Sequence, residues 1–241
     1  MDKELTLVGH LAELRRRILL SLAVVILVAL FAFTRVPEIL VFLKFPAAGL
    51  IDKLVFFSPT EAFLVYLKIS FFMAIAVSSP VILYQFWAFI APGLGERAKK
   101  EGVLFLTFTV AAFFSGIAFG YFCLLPAAIK FLIGFAQGVL EPMISVSEYV
   151  SFVTGLLFGC GLVFEMPVLS FLLARIGVLD HRFLRKNWKY AVLAIFIAAA
   201  IVTPTPDAFN MCLIAMPMLV LYELSIWVVK FSAPQCRPSG L

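Results

Sequence analysis

Charge is what this chain has least of. Only 14% of its 241 residues are Asp, Glu, Lys or Arg, where a soluble domain carries roughly a quarter. A globule must cover its surface with polar side chains, so a single water-soluble domain is excluded. Histidine is scarce as well, with only His10 and His181. There is no His-Glu-x-x-His pair for zinc, no glycine-rich phosphate loop and no Gly-x-Ser-x-Gly elbow. These absences remove the recognised routes to ATP, to a hydrolytic metal and to serine chemistry, and no enzyme activity, cofactor or metal is expected. The four cysteines, Cys123, Cys160, Cys212 and Cys236, are far apart. None has metal-ligand spacing, and they read as small apolar residues.

What the chain has is hydrocarbon: 63% hydrophobic residues and a mean hydropathy of +1.10. A span needs about 20 apolar residues at a rise of about 1.5 Å each. Six candidates emerge: Ile18–Val36, Leu67–Ile90 with Pro80 inside it, Val103–Leu125, Tyr149–Leu173, Tyr190–Val202 and Phe209–Val229. The fold class expected is an all-α integral membrane protein of six transmembrane helices, one membrane domain over residues 1–232, with a polar, disordered tail over 233–241. No small-residue cleavage site closes the first apolar run, so it is expected to be a retained span. The fifth and sixth helices are expected to be short. The fifth, at roughly 20 Å, is short for a ~30 Å hydrocarbon core, and local thinning or shielding is expected there. Thr203-Pro204-Thr205-Pro206-Asp207 then forces a turn, because two prolines resist helix continuation. Asp207 is placed to cap the sixth helix.

Orientation follows from the basic residues. The net charge of +5 is scattered in short clusters between apolar runs, unlike a nucleic-acid patch. With the N-terminus inside, 14 of the 19 Lys and Arg fall in cytoplasmic segments, which sets both termini inside. The two long outside segments, 37–66 and 126–148, mix apolar runs with turn signals such as Pro46. They are expected to form a cap with short interfacial helices. No internal repeat is evident, which weighs against the alternative of a polytopic small-solute transporter.

Three places carry polar residues with possible chemistry. In His10-Leu11-Ala12-Glu13-Leu14-Arg15-Arg16-Arg17, Leu7, Leu11, Leu14 and Ile18 make an apolar stripe. His10, Glu13 and Arg17 lie on another face, and Glu13–Arg17 is an i,i+4 ion pair. The plainest reading is an amphipathic entry helix. The end of the second span, Tyr84-Gln85-Phe86-Trp87-Ala88-Phe89, suits an interfacial aromatic belt. It leads through Pro92-Gly93 to Glu96 beside Arg97, Lys99 and Lys100. Glu96 reads either as part of a charged loop or as a carboxylate that receives a guanidinium. Glu165 lies about ten residues, roughly 15 Å, from Arg175, near mid-bilayer. A carboxylate there is costly and points to function by default, against the plainer reading of a hydrogen bond to a neighbouring helix. Pro167 leaves the carbonyl of Val163 without its helical donor and predicts a kink.

Taken together, His10-Leu11-x-Glu13-Leu14-Arg15, Ser58-Pro59-x-Glu61-x-Phe63, Tyr84-Gln85-x-Trp87-x-Phe89-x-x-Pro92-Gly93-Leu94, Phe164-Glu165-x-Pro167 and Thr203-Pro204-x-Pro206-Asp207 resemble the TatC family, the multispanning core of the twin-arginine protein translocase. The resemblance covers nearly the whole chain. It implies a receptor in a bacterial-type cytoplasmic (inner) membrane for signal peptides bearing paired arginines. It also implies single-span partners of the TatA and TatB types, a multimeric receptor complex, and export of folded proteins on the proton-motive force. The signal-peptide residues it implies are Glu13 and Glu96, with His10, Arg15 and Phe89 beside them. Glu165, with Gln85, is implied as an intramembrane polar contact for a partner, and Pro46, Pro204, Pro206 and Asp207 as structural turns. The segment before the loop acid is shorter than the family pattern, so Glu101 stands as an alternative to Glu96.

Overall fold

The computed structural model describes residues 7–51, 53–90, 95–134, 143–175, 177–202 and 207–232, with side chains throughout except at 7, 8, 95–101, 103, 104 and 202. Nearly all of it is helix. In chain order these are α1 (Leu7–Thr34), α2 (Val36–Lys44), a 3-10 turn (Phe45–Ala47), β1 (Leu54–Val55), α3 (Pro59–Ile90) and α4 (Gly95–Phe119). There follow a π turn (Gly120–Leu124), α5 (Leu125–Gly134), β2 (Ile144–Ser145), α6 (Val146–Phe164), α7 (Met166–Arg175), α8 (His181–Lys186), α9 (Trp188–Val202) and α10 (Ala208–Ser232). Five stretches are long and apolar enough to cross a membrane: Gly9–Thr34, Pro59–Ile90, Phe105–Gly134, Val146–Arg175 and Ala208–Phe231. A shorter apolar helix, Trp188–Ile201, makes the sixth.

The chain divides into two compact units, Met1–Phe42 with Ser58–Val110, and Leu43–Phe57 with Ala111–Leu241. In the first, α1 and α3 run antiparallel along their whole length. His10 stacks on Phe89 at one end, with ring centroids 4.3 Å apart, and Phe33 meets Tyr66 at the other, at 5.7 Å. The two pairs are separated by the same number of residues on both helices, roughly 35 Å at the helical rise, so the register holds from end to end. Pro80 does not break α3. The carbonyl it orphans, that of Ala76, accepts instead from the Ser79 hydroxyl at 2.8 Å. That local repair is what a proline in a membrane helix requires.

The outer cap begins in the first unit, which holds most of α2, and the rest of it lies in the second. The sequence predicts loops with interfacial helices there, and α2 is one. Two findings go beyond that expectation. The segments after α2 and before α6 join as a two-stranded parallel ribbon, Leu54 opposite Ile144 and Val55 opposite Ser145. And α5, expected as a separate loop helix, continues the third span through the π turn, where the Leu125 N–H reaches back to Gly120 O. Pro126 explains the turn, because it cannot donate to the carbonyl four residues before it. Pro46 sits in the 3-10 turn, beside fully buried Ala47. Tyr149 Oη, in the first turn of α6, donates to Leu43 O at 2.9 Å and ties the cap to that helix. The sixth helix is longer than expected: α10 runs 25 residues, and only α9, at 15, is short.

Glycines set how closely the helices of this unit approach. A Cβ on Gly116 would lie 2.5 Å from Cys160 O and 2.9 Å from Phe164 Cβ, and one on Gly161 2.8 Å from Phe113 Cε2. Small residues at a membrane helix crossing allow such backbone contact. Gly155, by contrast, has nothing within 4 Å of its missing Cβ. Gly116→Ala is therefore expected to overpack the α4–α6 contact at a cost of about 1–3 kcal/mol. Gly155→Ala should be neutral or gain up to about 1 kcal/mol of helix propensity. Thermal unfolding of the two variants in detergent checks this; equal melting temperatures would contradict the packing.

Candidate functional site

The start of α1 and the end of α3 place four of the expected residues together. The His10–Phe89 stack is one apolar floor. One to two helical turns further along α1, the Arg17 guanidinium donates to Glu13 Oε1 from Nε at 3.0 Å and from Nη2 at 2.5 Å. Its third donor group, Nη1, reaches across to Gln85 Oε1 on α3 at 3.1 Å. Arg17 and Glu13 are 22% and 26% exposed, so the pair is half-buried and open on one side. Arg15 and Arg16 face outward and are exposed.

The resemblance groups Gln85 with Glu165 as an intramembrane polar contact for a partner; within the first unit its Oε1 accepts from Arg17. The two residues are far apart in sequence, and only the antiparallel register of α1 on α3 brings them together. Trp87 is a further residue that the sequence assigns only to an aromatic belt. It is buried, stacks on Phe105 of α4 at 4.3 Å, and closes over Gly102, where any Cβ would collide with the indole.

These contacts bring the beginning of α4 to the same end of the unit. Glu96 lies in the first turn of α4 and Glu101 in its second. At about 100° per residue they stand roughly 140° apart around the axis, so a single site on this helix uses one of them. Their side chains lie outside the described ones.

In the second unit, Glu165 sits at the break between α6 and α7. Its own N–H turns back three residues to Leu162 O at 3.2 Å, and the ladder resumes when Leu169 N–H meets Glu165 O at 2.9 Å. The kink expected from Pro167 thus falls two residues ahead of that proline. Glu165 is only 5% exposed, and neither carboxyl oxygen has a hydrogen-bond partner among the described residues. The plainer reading, a hydrogen bond to a neighbouring helix, finds no partner among the described residues. Asp207 precedes α10, and its carboxylate accepts from Asn210 N at 2.7 Å and from Asn210 Nδ2 at 2.9 Å. Pro204 and Pro206 lie outside the described residues. Among the described residues no group of three or more His, Cys, Asp or Glu stands where it would hold a metal ion.

The amino-acid sequence that builds these elements also matches a family model. That model, Sec-independent protein translocase protein (TatC), covers residues 9–217. The chain belongs to the TatC family. The Sec-independent protein translocase protein TatC of Carboxydothermus hydrogenoformans is 40% identical over 97% of this chain and 96% of its own length. The chloroplastic TatC of Arabidopsis thaliana is 38% identical over 96% of this chain and 68% of its own. A crystal structure of the twin-arginine translocase receptor TatC superposes with a TM-score of 0.84 at 36% identity, covering 92% of this chain and 99% of that one. The chain is thus a multi-pass membrane protein of a transport family and not an enzyme.

The bare Glu165 carboxyl group makes a prediction. A buried polar group without a partner costs stability, so the isolated chain should lose nothing when that group is removed. Glu165→Gln and Glu165→Leu are expected to unfold at the wild-type temperature or above it. A clear fall in melting temperature for both would mean that the carboxyl group is bonded within the chain.

Proposed function

We propose that this chain is the receptor and core component of a twin-arginine translocase in a cytoplasmic membrane, with both termini on the cytoplasmic side. It binds twin-arginine signal peptides at the paired ends of α1 and α3. With TatA- and TatB-type single-span partners, in a multimeric complex, it exports folded proteins on the proton-motive force. The observation that carries this reading is the half-buried Glu13 carboxylate, held at the basic end of the bundle beside the His10–Phe89 stack. Two adjacent arginines bring two fixed charges that do not deprotonate. Carboxylates on separate helices, Glu13 on α1 and Glu96 or Glu101 on α4, suit them one each. At the membrane interface such pairs are stronger than in bulk water. Arg15 adds positive charge outside the pocket, and the aromatic rings receive the apolar stretch that follows the arginines.

The test is retention of the purified chain on an immobilised twin-arginine signal peptide against its twin-lysine counterpart. The expected result is at least about tenfold stronger retention by arginine, since an ammonium cannot reproduce the fork of a guanidinium. Glu13→Ala should lose most of that preference, and of Glu96→Ala and Glu101→Ala only one should do the same. Equal retention of both peptides by the wild type would count decisively against a receptor.

Glu165 is the contact for a partner helix or for the inserted signal. An intramembrane carboxyl group with no partner among the described residues is a standing demand for one from outside. Glu165→Ala is expected to reduce co-purification of a TatB-type partner, or export, well before it reduces the amount of folded protein. Full export by that variant would refute the assignment.

A further inference from the structure

We propose that Trp87 is a positioning residue of the peptide site: seated on Gly102, it fixes the rotation of α4 and so makes Glu101, not Glu96, the acid that α4 contributes. This rests on the receptor reading above and deepens it. The end of α3 is gripped from two sides. Gln85 and Phe89, one turn apart, meet Arg17 and His10 of α1. Trp87 lies midway between them in sequence, about 160° round the axis from each, and meets α4 instead. Its indole is buried, stacks on Phe105 with centroids 4.3 Å apart, and covers Gly102, where a Cβ would lie 3.2 Å from Cε2 and closer still to Nε1. Glycine inside a helix is less favourable than alanine. Here it leaves the room that the indole takes.

That contact sets the phase of α4. The direction halfway between Gly102 and Phe105 is the one that faces α3. At about 100° per residue, Glu101 stands roughly 70° from that direction and Glu96 roughly 150°. Along the axis, Glu101 adjoins Gly102 at the level of the indole, whereas Glu96 is about 9 Å away. On α3, Phe89 is about 3 Å from the same level. Glu13 belongs to α1, on the far side of α3, so a site that uses both acids straddles the end of α3. Packed helix axes lie about 8–10 Å apart. An acid on the flank of α4 next to α3 keeps the second carboxylate within reach of two adjacent arginines. An acid on the remote side adds most of a helix diameter, about 10 Å. Trp87 itself is buried and acts only through α4.

The test is retention of the purified full chain, in detergent, on an immobilised twin-arginine peptide, with an alanine-pair peptide as the blank. Glu101→Ala is expected to lower retention at least about tenfold, and Glu96→Ala by less than about threefold. Trp87→Leu, which removes no charge, should lower it about tenfold as well, because a binding group held loosely loses most of its use. For a positioning residue the two losses do not combine: in the Trp87→Leu background, Glu101→Ala costs less than about threefold more. If Trp87 only packs the fold, the losses from Trp87→Leu and Glu101→Ala multiply in full, and that overturns the proposal. So does a loss for Glu96→Ala as great as that for Glu101→Ala. Thermal unfolding checks that each variant is folded. Should Trp87→Leu fail to fold, Trp87→Phe takes its place in the same cycle, and the comparison of the two acids needs neither. A wild type that holds the twin-arginine peptide no better than the blank sinks the receptor reading itself. A wild type that does hold it, beside losses that multiply, sinks only the role of Trp87.

Discussion

A carbonyl oxygen in hydrocarbon has no water to accept from, and every proline inside a membrane helix creates one such oxygen. Four of this chain's prolines, Pro80, Pro126, Pro167 and Pro217, fall inside the spanning stretches, and the first three are each met differently. At Pro80 the Ser79 hydroxyl takes the orphaned carbonyl of Ala76 and α3 runs on unbroken. At Pro126 the ladder widens to a π turn, and α5 continues the third span. At Pro167 there is no such hydroxyl in the preceding turn, and the helix parts into α6 and α7 at Glu165. The bilayer's demand for satisfied backbone groups thereby decides where the chain is straight and where it yields. The place where it yields is also the place where a carboxyl group is left bare.

The two acids of interest differ in environment. Glu13 is half-buried, has a guanidinium on one oxygen and stays partly wet. Glu165 is almost fully enclosed and has no donor among the described residues. A pair like the first is worth little to stability, about 0–1 kcal/mol for exposed cases, so opening it costs the fold little. A group like the second costs stability outright and persists only where something else needs it. Natural proteins tolerate such costs where function requires them.

The hydropathy of the chain made all six helices legible, because a window of apolar residues long enough to span reports directly on the solvent it requires. The i,i+4 pairing of Glu13 with Arg17 and the cap at Asp207 were legible for the same local reason: both depend on neighbours within one turn. What the sequence concealed was contact between distant segments. Nothing in Leu54-Val55 or Ile144-Ser145 announces a strand, since two residues are too few for a period, and their pairing is fixed by the helices that flank them. Gln85 looked like a lone polar residue near the end of a span until the register of α1 on α3 set Arg17 against it. Trp87 looked like an anchor in the aromatic belt and is in fact buried against Gly102 and Phe105.

The short fifth helix can be weighed against an independent ruler in the same unit. α9 is 15 residues, about 22 Å long at 1.5 Å per residue, against a ~30 Å hydrocarbon core. The sixth helix is longer, with an apolar stretch of 24 residues from Ala208 to Phe231, but that stretch holds one acid. Its first polar marker is Asp207 and its next acid is Glu223, and between them lie only about 24 Å of helix. Glu223 is held there by Arg185 of α8, and beside it Tyr222 Oη donates to Leu184 O at 2.8 Å. The short helix α8 is thus pinned well before α10 ends at Ser232. α9 alone is several ångströms shorter than an ordinary hydrocarbon core, and α10 carries its one acid, Glu223, at a comparable distance from Asp207. A short apolar face is met in general by thinning of the lipid around it or by packing that shields its end, and α9 is where this chain would call for one of the two.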